Sequence, residues 1–202
     1  NRLGRWISLH SERPDLPWVF GVLESDNVNA FATPGGYILV TKGLLGRIRN
    51  EGGLAGVLGH EIVHIKGRHM ARSSGPDAMS VLSLLSMALL ARNPNAAQAA
   101  GMLSQAVSAT RQASYSRGLE MESDTLGTRY MAAAGYDPKG ALGFLKTLDQ
   151  ERALNPIDVP AYVLSHPITQ ERIANAELVV KSLGPTQIRP DDPVALKKVQ
   201  LI

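Results

Sequence analysis

The chain has 202 residues, 44% hydrophobic and 19% charged, which suits one well-buried domain and excludes a disordered chain. Its net charge is only +3 and it has no dense Lys/Arg block or aromatic-interleaved basic patch, so nucleic-acid binding is not expected. It has no cysteine, which excludes disulfides and thiolate ligands and leaves His, Asp and Glu to hold any metal. The chain opens on Asn1 rather than Met, which leads us to expect a processed form.

In chain order, 2–10 reads as the end of a helix, 11–17 as a loop and 18–23 as a strand. The stretches 29–32 and 37–41 read as extended, joined by the turn signal Pro34-Gly35-Gly36. A short helix is expected at 43–50 and a longer one at 51–66. In the latter, Leu54, Val57, Leu58, Ile62 and Ile65 recur at helical spacing. Gly52, Gly53, Gly56 and Gly59 weaken helix propensity but permit a neighbouring backbone to come close. After 73–76 comes the apolar run 78–91, short for a membrane span, which needs about 20 residues. It reads as a buried helix, or as a surface that meets a membrane or an envelope protein. Helices are expected at 94–116, 119–134, 138–152 and 168–183, with 155–167 as a loop and Thr169 as a cap. Pro185, Pro190 and Pro193 make 184–202 read as an extended tail or linker beyond a domain at 1–183. The fold class is α+β, mostly helical, with a small N-terminal sheet or hairpin.

Residues His60-Glu61-Ile62-Val63-His64 form H-E-x-x-H. One turn apart, the two imidazoles share a helix face and can grip one metal ion, with Glu61 placed as a general base. A catalytic zinc has three protein ligands, so one more is needed. The chain holds five histidines: His10, His60, His64, His69 and His166. His69 is near in sequence, but on a continuing helix it falls about 180° from His60 and points away. In the cluster 120–124, Glu120 and Asp124 share a face, while Glu122 falls about 200° from Glu120. Glu120 then suits the metal and Asp124 the far nitrogen of a ligating histidine. Spacing alone leaves open the other reading, a solvated acidic face.

The H-E-x-x-H motif followed by Glu120-Met121-Glu122-Ser123-Asp124 resembles the M48 family of zinc metalloendopeptidases, whose pattern is H-E-x-x-H then E-x-x-x-D. The segment 29–37, Asn29-Ala30-Phe31-Ala32-Thr33-Pro34-Gly35-Gly36-Tyr37, resembles the family's N-A-F-A-x-P-G-G. Thr41-Lys42-Gly43-Leu44-Leu45 resembles the stretch that follows it, and Ser165-His166-Pro167 with Arg172-Ile173 resembles its S-H-P…R-I element. Ser123 departs from the family's frequent Ala. The resemblance spans about residues 15–180. It implies a zincin fold of gluzincin type with the small sheet beside the motif helix. It further implies one Zn²⁺ per chain held by His60, His64 and Glu120, with Glu61 as base and Asp124 behind the ligands. His166 is implied as an oxyanion donor or as a cap on the metal, and Arg172 is a weaker donor candidate, bracing of the loop being its other reading. Arg117 is expected at the surface or paired with a carboxylate. The 29–41 hairpin suggests an edge where Asn29, Ala30, Phe31 and Ala32 take an extended substrate by main-chain bonds, plain packing being the other reading. Missing full-length membrane helices point to the family's soluble, periplasmic branch, hence to the bacterial cell envelope and polypeptide substrates. A chaperone-like or assembly factor with a latent site capped by His166 is the alternative.

Overall fold

A computed structural model describes residues 2–72, 116–184 and 187–201. The runs 78–91 and 94–115 lie outside the described residues. Among the described residues no helix is long and apolar enough to cross a membrane.

Helix α1 (Arg2–Ser8) leads into strand β1 (Val19–Leu23), then β2 (Ala30–Thr33) and β3 (Tyr37–Thr41). The sheet order is β1-β3-β2, with β1 parallel and β2 antiparallel to β3. The turn between β2 and β3 needs φ of +94° at Gly35 and +93° at Gly36, a region glycine enters without strain. Thr41 locks the base of the hairpin: its Oγ1 accepts from Asn29 N at 2.9 Å and its N–H donates to Asn29 O at 3.0 Å.

The short helix expected at 43–50 is only α2 (Lys42–Leu45), capped by Thr41. The motif helix is α3 (Glu51–Lys66), as its pattern predicts. Asn50 caps it by accepting from Gly53 N at 2.8 Å, and Glu51 sits favourably in its first turn. Almost every residue from Gly52 to His64 is buried, so α3 is the central helix of the domain. It is wrapped by α1, β2, α5 (Arg117–Ala133) and α6 (Pro138–Leu154). The glycines explain how close these helices come. A Cβ on Gly59 would lie 2.6 Å from Gly127 O, and one on Gly127 would lie 2.7 Å from Gly59 C. The backbones of α3 and α5 therefore touch one residue before His60.

Short α4 (His69–Arg72) follows α3. Pro160 at an N-cap starts α7 (Ala161–Ser165) inside the stretch expected to be loop. It forms because Ala161, Tyr162 and Val163 are apolar enough to bury. Thr169 caps α8 (Gln170–Ser182) as expected, accepting from Arg172 N at 3.2 Å.

The expectation of an extended tail is corrected. Residues Pro193–Gln200 form α9, started by Asp192, whose carboxylate accepts from Val194 N and Ala195 N. The proline stands at the first helical position, where a missing N–H is harmless. Leu196 is buried, and Gln200 Nε2 donates to Leu45 O at 2.8 Å and Ile48 O at 2.9 Å. The segment is thus docked on the domain.

Candidate metal centre

Four side chains from three places in the chain converge: His60 and His64 from α3, Glu120 from α5, and His166 from the end of α7. One ligand atom from each lies within 4.8 Å of all the others, and all four residues are buried. His60 Nε2 is 2.9 Å from His64 Nε2, 3.3 Å from His166 Nδ1 and 3.5 Å from Glu120 Oε2. Glu120 Oε1 is 3.2 Å from His64 Nε2 and 3.1 Å from His166 Nδ1. A tetrahedral ion with metal–nitrogen bonds of 2.0–2.1 Å spaces its donors by roughly 3.3 Å. The donor set fits such an ion in size and chemistry.

The flanking groups explain how these donors hold their directions. His60 Nδ1 is 3.0 Å from Asp124 Oδ1, so its far nitrogen is fixed by a carboxylate. Arg172, 1% exposed, grips that carboxylate with two bonds: Nε to Oδ2 at 2.7 Å and Nη2 to Oδ1 at 2.9 Å. Its Nη1 also lies 2.7 Å from Glu120 Oε2, a close ion pair without hydrogen-bond alignment, so Oε2 has no directed donor. The same Nη1 donates to the carbonyls of His166 and Pro167. One guanidinium thus ties α5 to the His166 loop. Tyr162 supports His166 from behind, their rings stacked with centroids 4.6 Å apart.

The electrostatics of the donors follow from burial and close charges. Burial opposes a charge on His60, but Glu120 and Asp124 outweigh it and push its pKa up to about 10. Burial drives His64 well below its ordinary value. Burial opposes ionisation of Glu120 and Asp124 too, yet His166 and His60 hold the first low, and Arg172 and His60 the second. Glu61 goes the other way: burial raises it, and its Oε1 has no hydrogen-bond partner. That oxygen lies 3.6 Å from His166 Nε2.

The sequence profile of peptidase family M48 matches residues 2–179. The chain belongs to peptidase family M48. Relatives include the beta-barrel assembly-enhancing protease of Escherichia coli K12, 31% identical over all of this chain and 42% of that protein. The putative beta-barrel assembly-enhancing protease of Vibrio cholerae is also 31% identical, over all of this chain and 43% of that protein. The mitochondrial metalloendopeptidase OMA1 of Schizosaccharomyces pombe is 31% identical over 88% of this chain and 51% of that protein. The chain therefore spans less than half the length of the beta-barrel assembly-enhancing proteases it matches.

The structure of this M48 domain brings the side chains of His60, His64, Glu120, Asp124, Glu61 and His166 close to one another. Arg172 braces the loop as anticipated, and it also pairs with two carboxylates that no spacing rule foretold. Arg117 is exposed at the start of α5. Ala30, Phe31 and Ala32 lie on β2, the sheet's edge strand next to α3, while Thr41 takes both backbone groups of Asn29.

The reading of His69 is corrected. It is fully buried, with Nδ1 3.1 Å from His64 Nδ1, rather than pointing away. The helix it was placed on stops at Gly67, and Arg68 at φ 49° turns the chain back. Gly67 is itself right-handed, and its missing side chain leaves room for the His69 ring to fold back on the end of α3. His69 is still not one of the four converging donors. Ser123, where the family often has alanine, is buried with Oγ 3.3 Å from His69 Nδ1.

Proposed function

We propose that this domain is a zinc metalloendopeptidase acting on polypeptides of the bacterial cell envelope. The observation that carries this reading is the buried donor group beside a carboxylate, Glu61, whose Oε1 accepts no hydrogen bond. His60, His64 and Glu120 would hold the ion, with Asp124 fixing His60. Bound there, zinc supplies Lewis acidity that lowers the pKa of a water and polarises a peptide carbonyl. Glu61 accepts the proton of the attacking water and delivers it to the leaving amine. Burial raises its pKa and so suits it to both halves of that transfer. His166 Nε2, on the Glu61 side, is placed to donate to the developing oxyanion. The relatives named for β-barrel assembly support an envelope location, since such barrels reside in the bacterial outer membrane.

Glu61→Gln tests the proposal. Zinc content should stay at one per chain while cleavage of casein disappears; cleavage at the original rate would remove Glu61 from the mechanism.

The position of His166 supports a second reading. Its Nδ1 sits among the donors, 3.1 Å from Glu120 Oε1 and 3.3 Å from His60 Nε2. Four protein donors fill a tetrahedral ion and leave no place for water. In that arrangement the domain is latent and serves as an assembly factor. His166→Ala separates the two roles: it raises casein cleavage if the side chain is a cap and lowers it if the side chain is an oxyanion donor.

A further inference from the structure

A histidine that gives one nitrogen to a metal has its other nitrogen held by an outer partner, which fixes the ring and its proton. Asp124 does this for His60. Among the described residues, the corresponding nitrogen of His64, Nδ1, faces a different kind of partner. It meets the Nδ1 of another imidazole, His69, at 3.1 Å.

We propose that His69 is the positioning residue of His64, accepting its Nδ1 proton and thereby keeping Nε2 free as a metal donor. The inference rests on the reading that His60, His64 and Glu120 hold zinc. A neutral imidazole carries one proton. With His64 Nε2 aimed into the donor group, that proton is on Nδ1, and His69 Nδ1 must accept it. His69 then carries its own proton on Nε2, which faces Glu122 Oε2 at 3.6 Å. Arg72 Nη1 lies 3.5 Å from the same oxygen. The contact with Glu122 is at ion-pair distance without a hydrogen bond, so it holds His69 more loosely than Arg172 holds Asp124 beside His60. Glu122, which helical spacing turns away from Glu120, thus acquires a role.

The backbone is shaped for this contact. Among the described residues Arg68 is the one non-glycine with positive φ, at 49°. Such a conformation persists where the surroundings enforce it. It turns the chain so that the His69 ring lies on Gly67: a Cβ there would meet His69 Nε2 at 2.2 Å and Cδ2 at 2.4 Å. The ring is 0% exposed although Arg72, three residues on, is exposed.

The test uses the full chain loaded with zinc. Zinc affinity is measured by chelator competition, and the imidazole protons by nitrogen-15 NMR. His69→Leu should weaken zinc binding about 10- to 100-fold and abolish the slowly exchanging Nδ1–H signal of His64. His69→Asn, whose Oδ1 can accept at the same place, should retain both affinity and signal. Gly67→Ala removes no polar group but displaces the ring, and should reproduce the loss seen in His69→Leu. If His69→Leu does not fold, Gly67→Ala and His69→Asn decide. Wild-type affinity with the His64 signal intact in a folded His69→Leu or Gly67→Ala variant overturns the proposal. His64→Ala is the control: if it keeps zinc at wild-type affinity the metal-site reading itself fails. If it loses zinc while His69→Leu does not, only the role of His69 falls.

Discussion

Arg172→Met should be among the most destabilising single changes in this domain. The guanidinium is 1% exposed, donates two bonds to Asp124 at 2.7 and 2.9 Å, and lies 2.7 Å from Glu120. Methionine fills much of the volume, so the loss is mainly of charge. Breaking a buried ion pair from one side costs about 3–5 kcal/mol, because the remaining charge is stranded. Here His60, pushed up to about 10 in the metal-free site, still faces Asp124, which favours the lower end, about 3 kcal/mol. For a chain of this size that is a fall in Tm of roughly 6–12 °C. The assay is urea unfolding of chelator-treated protein as a function of pH. Asp124 and Glu120 have pKa values lowered in the folded state, so their contribution is present above their unfolded values and is lost as pH falls through the folded ones. The difference between wild type and variant should therefore be full at pH 7 and shrink as pH drops below about 4. A difference under about 1 kcal/mol at pH 7, typical of a surface pair, would refute the reasoning, as would a large one that ignores pH.

Three further outcomes follow from the same geometry. Gly59→Ala should lower stability by about 1–3 kcal/mol and weaken zinc binding as well, because its Cβ would meet Gly127 O at 2.6 Å and part α3 from α5; thermal melts and chelator competition check both. Zinc binding at pH 7.5 should release at least about one proton, because His60, pushed up to about 10 without the metal, must give up a proton to bind it; calorimetry in two buffers of different ionisation enthalpy measures it, and no release would contradict the charge placed on His60. Leu196→Ala should cost about 2 kcal/mol or more with zinc content unchanged, since α9 docks by burying that side chain and packs against α2, which supplies none of the donors; an unchanged melt would mean the tail is not docked in solution.

The parts of the site that share a helix were legible in the sequence. His60 and His64, like Glu120 and Asp124, are one turn apart, so regular geometry alone puts each pair on one face. The glycines of α3 announced close packing, and Gly59 against Gly127 is that packing. His166 was reachable only by resemblance, because it comes from a short helix end that no periodicity marks. His69 was misplaced because its helix was extended past Gly67, and the left-handed turn at Arg68 has no signature in a residue of that type. Arg172 was read as a weak oxyanion candidate or a loop brace. Its pairing with Asp124 joins residues 48 apart in sequence, and that with Glu120 residues still further apart, a distance over which local rules say nothing. The tail was misread because proline breaks a helix in its interior but opens one at the first position, and Asp192-Pro193 is such a start.

The central claim is that His60, His64 and Glu120 hold the zinc that Glu61 works beside. Anomalous diffraction at the zinc edge from crystals of the zinc-loaded chain tests it most directly. The account predicts a single peak within roughly 2.0–2.2 Å of an imidazole nitrogen of His60, one of His64 and a carboxylate oxygen of Glu120. A peak bound by His69 in place of Glu120, or no peak within reach of α3, would contradict it.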